Sequence, residues 1–101
     1  MILPCHESGD FTAFRIRCKQ FGTNSYVLTE KNKYCVLIDC IIDETATFDF
    51  LEQHGLQVDQ VFCTHGHFDH IGCAYQIQKK YGSTAFLNYK DIKLARMSNF
   101  L

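Results

Sequence analysis

No apolar run in this 101-residue chain approaches the ~20 residues of a membrane span. The longest are short pieces such as Val36-Leu37-Ile38, so the expectation is a soluble protein that does not enter a membrane. The opening lacks the basic start and long apolar stretch of a secretory leader: Met1 to Leu3 runs into Pro4, and the first Lys or Arg is Arg15. A cytoplasmic location follows as an expectation. Charge of one sign is lacking too. Ten Lys and Arg against eleven Asp and Glu leave a formal charge of -1, too weak a field to gather nucleic acid or an anionic surface. C-x-x-C spacing is absent. The six cysteines, Cys5, Cys18, Cys35, Cys40, Cys63 and Cys73, lie in apolar, strand-like surroundings, which suits buried reduced thiols better than a disulfide framework. Repeats, low-complexity tracts and Pro/Gly/Ser-rich linkers are missing as well, leaving one uninterrupted unit.

What is present is enough apolar material, 47% of residues with 14% aromatic, to pack a core in one small domain. Cys5-His6 reads as a loose N-terminal tail. Ala13 to Lys19 alternates Phe14, Ile16 and Cys18 against Arg15, Arg17 and Lys19, the period of a strand with one wet face. Gly22 to Asn24 turns the chain, and Tyr26-Val27-Leu28 and Tyr34 to Ile38 form a hairpin about the polar stretch Glu30 to Lys33. Thr45 or Thr47 caps a helix running to about His54, with Phe48, Phe50 and Leu51 as its apolar side, Gly55 as its stop and His54 complementing the dipole. Gln60 to Thr64 is a short strand, Ile71 to Tyr81 a helix ended by Gly82, and Thr84 to Leu87 another strand. Tyr89 to about Ser98 is a last amphipathic helix with Lys90, Lys93 and Arg96 outward. This order of strands and helices is a mixed α/β plan.

Between the strand ending at Thr64 and the helix beginning near Ile71 lies T-H-G-H-F-D-H-I-G, which places His65, His67, Asp69 and His70 within six positions. Imidazole and carboxylate are ligands that zinc prefers, and neutral His gives up no proton to bind. Residues two apart share a direction, so His65 and His67 face one way, while adjacent Asp69 and His70 point elsewhere; two neighbouring metals fit better than one. The competing reading is a polar turn with Asp69 as the helix N-cap and the histidines solvated.

These residues resemble the metallo-β-lactamase superfamily, whose signature H-x-H-x-D-H stands here as His65-Gly66-His67-Phe68-Asp69-His70. Gly22-Thr23-Asn24-Ser25-Tyr26-Val27-Leu28 is similar to the family's opening strand, and Val36-Leu37-Ile38-Asp39 to its strand ending in aspartate. The resemblance implies that His65 and His67 bind a first ion, that Asp69 and His70 bind a second, and that Asp39 supports the ligand loop from behind. Zinc is the implied metal, up to two ions, with iron and manganese as alternatives, and Asp69 the implied catalytic group. Two departures stand out: the usual Asp-Pro-Gly is Asp39-Cys40-Ile41, and the common Gly-Gly after the last histidine is Gly72-Cys73.

The implied fold is the N-terminal half of a four-layer αββα sandwich, a mixed sheet with helices on its outer face, the second half being absent from this chain. Such a half would leave the apolar sides of the Phe14-Ile16-Cys18 and Tyr34-Val36-Ile38 strands facing water, so self-association or a missing C-terminal half is the expected partner. The implied chemistry is hydrolysis of a small molecule by a metal-bound water whose pKa falls toward ~7. Within the superfamily the chain most resembles the glyoxalase II branch, which cleaves acylglutathione thioesters. Two alternatives stand beside it: a truncated or degenerate member that binds metal weakly or needs a partner half, since each ion finds only two ligands here, and a thiol-rich redox or metal-buffering protein.

Overall fold

A computed structural model describes residues 2, 4–30, 33–64 and 66–91. Nine elements follow one another: β1 (Pro4–Ser8), β2 (Phe11–Arg17), β3 (Asn24–Thr29), β4 (Tyr34–Ile38), α1 (Glu44–Gln53), β5 (Gln57–Cys63), α2 (Phe68–Ile71), α3 (Ala74–Tyr81) and β6 (Thr84–Leu87), with a 3-10 turn at Tyr89–Asp91. The strands form one six-stranded sheet in sequence order. β1 to β4 run antiparallel, and β5 and β6 add in parallel to β4. The sheet is therefore mixed, as expected, and the switch to parallel pairing is made by the helical crossovers that parallel strands require.

Strand alternation sorts the two faces. Phe14, Val27, Leu37 and Val61 stand in register across β2 to β5 and, with Ile16, join Phe50 and Leu51 of α1 and Ala74 and Ile77 of α3 in one buried cluster. Val27, Leu37, Val61, Leu51 and Ile77 are wholly buried, and each such side chain contributes roughly 1.5–3 kcal/mol. A bulge at Asp59 shifts the β4–β5 register, Cys35 facing Val58 and Val36 facing Gln60. Val58 and Val61 thereby both reach the core although they are three apart.

The opposite face carries a second row, Tyr26, Ile38, Phe62 and Phe86. Phe62 and Phe86 stack at 4.8 Å yet stay 39% and 42% exposed. A shallow apolar groove beside them is lined by Phe11, Leu28, Tyr34, Val36 and Ile38. The expectation of open apolar strands is thus corrected in part: Phe14, Ile16 and Cys18 are covered by the helices, and the face bearing Tyr34, Val36 and Ile38 is the open one.

Three further expectations change. Cys5 and His6 lie in β1, not in a loose tail; every β1 side chain is exposed, so the strand is held by backbone pairing and carries no alternation. The cap of α1 is Asp43, whose carboxylate accepts the Ala46 N–H at 3.1 Å, while Thr47 is buried inside the helix. The helix expected from Ile71 to Tyr81 is two, α2 and α3, broken at Gly72-Cys73. A Cβ at Gly72 would sit 2.5 Å from the Ile42 Cα, so the chain turns where only hydrogen fits. His54 is the C-cap of α1, and its ring packs on Phe50 and Phe14 at 4.4 and 5.1 Å. The expected helix after Tyr89 lies outside the described residues from Ile92 on, with Lys93 and Arg96.

Candidate metal centre

Parallel pairing of β4 with β5 sets their carboxyl ends side by side, which puts Asp39 against Thr64. Asp39 has a φ of 65°, a left-handed conformation that Asp tolerates better than most residues. Its backbone N–H is bonded to the Phe62 carbonyl at 2.8 Å, and its carbonyl accepts the Ser25 hydroxyl at 2.7 Å. Held this way, the buried carboxylate turns toward the loop after β5. Oδ1 accepts the Thr64 N–H at 2.6 Å, and Oδ2 accepts the Thr64 hydroxyl at 2.7 Å and meets His70 Nδ1 at 2.8 Å.

An ionised carboxylate only accepts, so Nδ1 carries the imidazole proton and Nε2 is the unprotonated nitrogen, the one that could ligate. His70 Nε2 stands 3.8 Å from Asp69 Oδ2. That same Oδ2 accepts the Thr23 hydroxyl at 2.9 Å from the turn between β2 and β3. α2 is stitched to the strand extension by Cys40 N–H to the His70 carbonyl and Gly72 N–H to the Cys40 carbonyl, at 2.8 and 2.9 Å.

The polar-turn reading fails on one point: the N-cap of α2 is His67, with no side-chain cap bond, and Asp69 lies within the first turn. The structure brings Asp39, Asp69 and His70 together, with His67 at the head of the same helix. His65 lies outside the described residues. Two donors at about 2.0–2.2 Å from one ion with tetrahedral angles are about 3.4 Å apart, so the 3.8 Å span from Asp69 to His70 is a few tenths of an ångström wider and would share a metal at an opened angle. Among the described residues no three His, Cys, Asp or Glu side chains close on one ion. Thr23, Ser25 and Thr64 complete the arrangement. All three lie within segments whose likeness to the family is visible, but nothing local to them tells which partner each hydroxyl takes.

The two departures from the family pattern meet in space. The Cys40 thiol is pushed well above its usual range by a hydrogen bond to Cys73 and by burial, and Cys73 in turn donates to the Thr47 hydroxyl at 3.9 Å. Cys63 and Cys35 are pushed up to about 12, burial being the largest cause. All six cysteines are free and five are buried, as expected. Of these, Cys40 and Cys63 lie near Asp39, with Cys73 beside them, and the three fill space beneath the site.

A mixed sheet carrying an Asp–His–Asp chain where two parallel strands end, beside a one-turn helix, defines an α/β metal-site fold. The profile of the Metallo-beta-lactamase superfamily matches residues 18–98, and the chain belongs to that superfamily. A UPF0173 metal-dependent hydrolase of Staphylococcus aureus strain JH9 is 35% identical over 81 residues, 80% of this chain and 32% of that protein. A UPF0173 metal-dependent hydrolase of strain N315 matches to the same extent. Among solved structures, the BLEG-1 B3 metallo-β-lactamase superposes with a TM-score of 0.73 at 29% identity, over 77% of this chain and 37% of its own. ETHE1 from Myxococcus xanthus does so with a TM-score of 0.61 at 23% identity, over 70% and 32%, and shows the fold alone. The chain spans about a third of the length of the curated relatives it matches.

Proposed function

We propose that this chain carries the principal ligand loop of a metal-dependent hydrolase, with His65 and His67 on one zinc-class ion and Asp69 and His70 on a second. The observation behind this is the hydrogen-bonded chain from Thr64 through Asp39 to His70, facing Asp69 across 3.8 Å. When bound, the metal supplies hydroxide at neutral pH and polarises the scissile carbonyl. The protein's part is orientation. Asp39 holds the proton of His70 on Nδ1 and fixes the ring plane. Asp69, steadied by Thr23, presents a carboxylate to the attacking water and is the proposed catalytic residue.

The proposed substrate is a small thioester of the acylglutathione type, on the likeness of the opening strand and the Thr64-His65-Gly66-His67 loop to the glyoxalase II branch, and the proposed setting is the cytoplasm. The open sheet face is proposed to be covered by the remainder of the two-sheet sandwich or by a second copy of the chain. A second reading, a member that binds metal weakly and is not catalytic without a partner half, draws on the two ligands per ion that His65, His67, Asp69 and His70 would supply.

Metal analysis and thioester assays of the intact protein test both. Two ions per chain and turnover of an acylglutathione, with both lost in Asp69→Ala, support the hydrolase. Turnover that survives Asp69→Ala at full metal content overturns the assignment. Metal at one ion or fewer, with no turnover, supports the second reading.

A further inference from the structure

Thr23 and Ser25 lie two apart on one side of the chain, and both are buried, 6% and 0% exposed. Their hydroxyls go to different parts of the centre: Thr23 Oγ1 to the Asp69 carboxylate at 2.9 Å, Ser25 Oγ to the Asp39 carbonyl at 2.7 Å. The turn that presents Thr23 is closed from both sides. Cys18 N–H bonds to the Thr23 carbonyl and Gly22 N–H to the Cys18 carbonyl, each at 2.8 Å, and Gly22 supplies the positive φ of 69° that this closure needs. From Ser25 the chain continues directly into the pairing of β3 with β2 and β4. Thr23 is thus a fixed donor, set 46 residues from its acceptor.

A hydroxyl has one proton to give, and Thr23 gives it to Oδ2, the oxygen that faces His70 Nε2. Donation to a carboxylate is charge-assisted and directional, so it selects the rotation of the Asp69 carboxylate about its last bond. We infer that Thr23 is a positioning residue: the turn between β2 and β3 sets the orientation of Asp69, and through it the affinity of the centre for its metal. The inference rests on the proposed ligand role of Asp69. It assigns a role to an element that contributes no ligand, and it requires the hydroxyl, not the bulk, of residue 23.

The test is Zn²⁺ affinity of the intact protein by competition with a chromophoric chelator, together with the unfolding midpoint of the metal-free form. Thr23→Val keeps shape and removes only the donor; Zn²⁺ affinity falls by about 10–100-fold, the usual effect of losing a ligand's hydrogen-bond partner, while Thr23→Ser stays near wild type. Asp69→Ala serves as the reference and loses more. Wild-type affinity in Thr23→Val, with Asp69→Ala weakened, overturns the role of Thr23 and leaves the ligand reading standing. Equal loss in Thr23→Val and Thr23→Ser overturns it too, because Ser keeps the hydroxyl and the loss would then not follow the donor. A lower metal-free midpoint in Thr23→Val with no change in affinity assigns Thr23 to stability alone. Wild-type affinity in Asp69→Ala overturns both readings.

Discussion

Asp39 joins three donors in one buried carboxylate, the Thr64 N–H, the Thr64 hydroxyl and His70 Nδ1, and it does so from a left-handed backbone position. Asp39→Asn separates these features, because Asn tolerates the same φ while its amide replaces one accepting oxygen by a donor. Metal affinity is expected to fall about 10–100-fold, with the folded spectrum retained; chelator competition checks it, and unchanged affinity removes Asp39 from the centre. A second expectation at this scale concerns Cys35, whose thiol burial raises from 9.0 to about 12. The folded state keeps this proton between those values while the unfolded chain loses it. The stabilisation is therefore complete below pH 9.0 and is lost as pH rises toward 12, at roughly 1.4 kcal/mol per pH unit. In urea unfolding, Cys35→Val should decline less steeply between pH 9 and 11 than wild type, whatever its offset at pH 7. The density of His and Asp in residues 65–70 was legible in the sequence as a metal motif. The donors behind it were not, since a Thr or Ser in a strand gives no local sign of the carboxylate it meets.

At the scale of elements, α2 is a single turn that cannot hold itself. Its stability comes from the two backbone bonds to Cys40 and from the close approach of Gly72 to Ile42. Gly72 has an ordinary helical φ of -49°, so its role is space and not backbone freedom. A methyl there would lie 2.5 Å and 2.9 Å from the Ile42 Cα and N, both backbone atoms that yield little. Gly72→Ala is expected to cost about 1–3 kcal/mol and to weaken metal binding as α2 is displaced. Asp43→Ala is the contrast: loss of the α1 cap should cost about 1 kcal/mol with metal affinity unchanged. Equal effects of the two variants on affinity would show that α2 is not a separately positioned element. The α1 pattern and its Gly55 stop were readable from periodicity. The cap was misplaced by only a few residues, because three candidate capping side chains stand within five positions and packing, not propensity, put Thr47 inside.

For the molecule as a whole, one sheet face is sealed by α1 and α3 and the other is open over Tyr34, Ile38, Phe62 and Phe86. Contiguous apolar surface of this kind marks an interface or an association hazard. The 101-residue chain produced alone is therefore expected to sediment above its 11.7 kDa and to turn over no thioester. Replacing Phe62 and Phe86 together by Lys should shift it toward monomer without loss of the helix-side core. A monomer in the unsubstituted chain would show that the open face needs no cover.

The sequence by itself determined the strand and helix periods, the near-zero net charge, the lack of a membrane-length apolar run, and the metal motif after β5, because each is a property of composition or of residues near one another in the chain. Tertiary structure decided what depends on distant residues. It paired the exposed β1 into the sheet and chose which apolar face the helices cover. It broke the second half of the chain at Gly72 because Ile42 lies against it. It also carried the Thr23 hydroxyl to Asp69 and the Asp39 carboxylate to His70, contacts that span 46 and 31 positions. Such contacts have no period in the sequence, since their partners meet only when parallel strand ends and a closed turn converge on the same place.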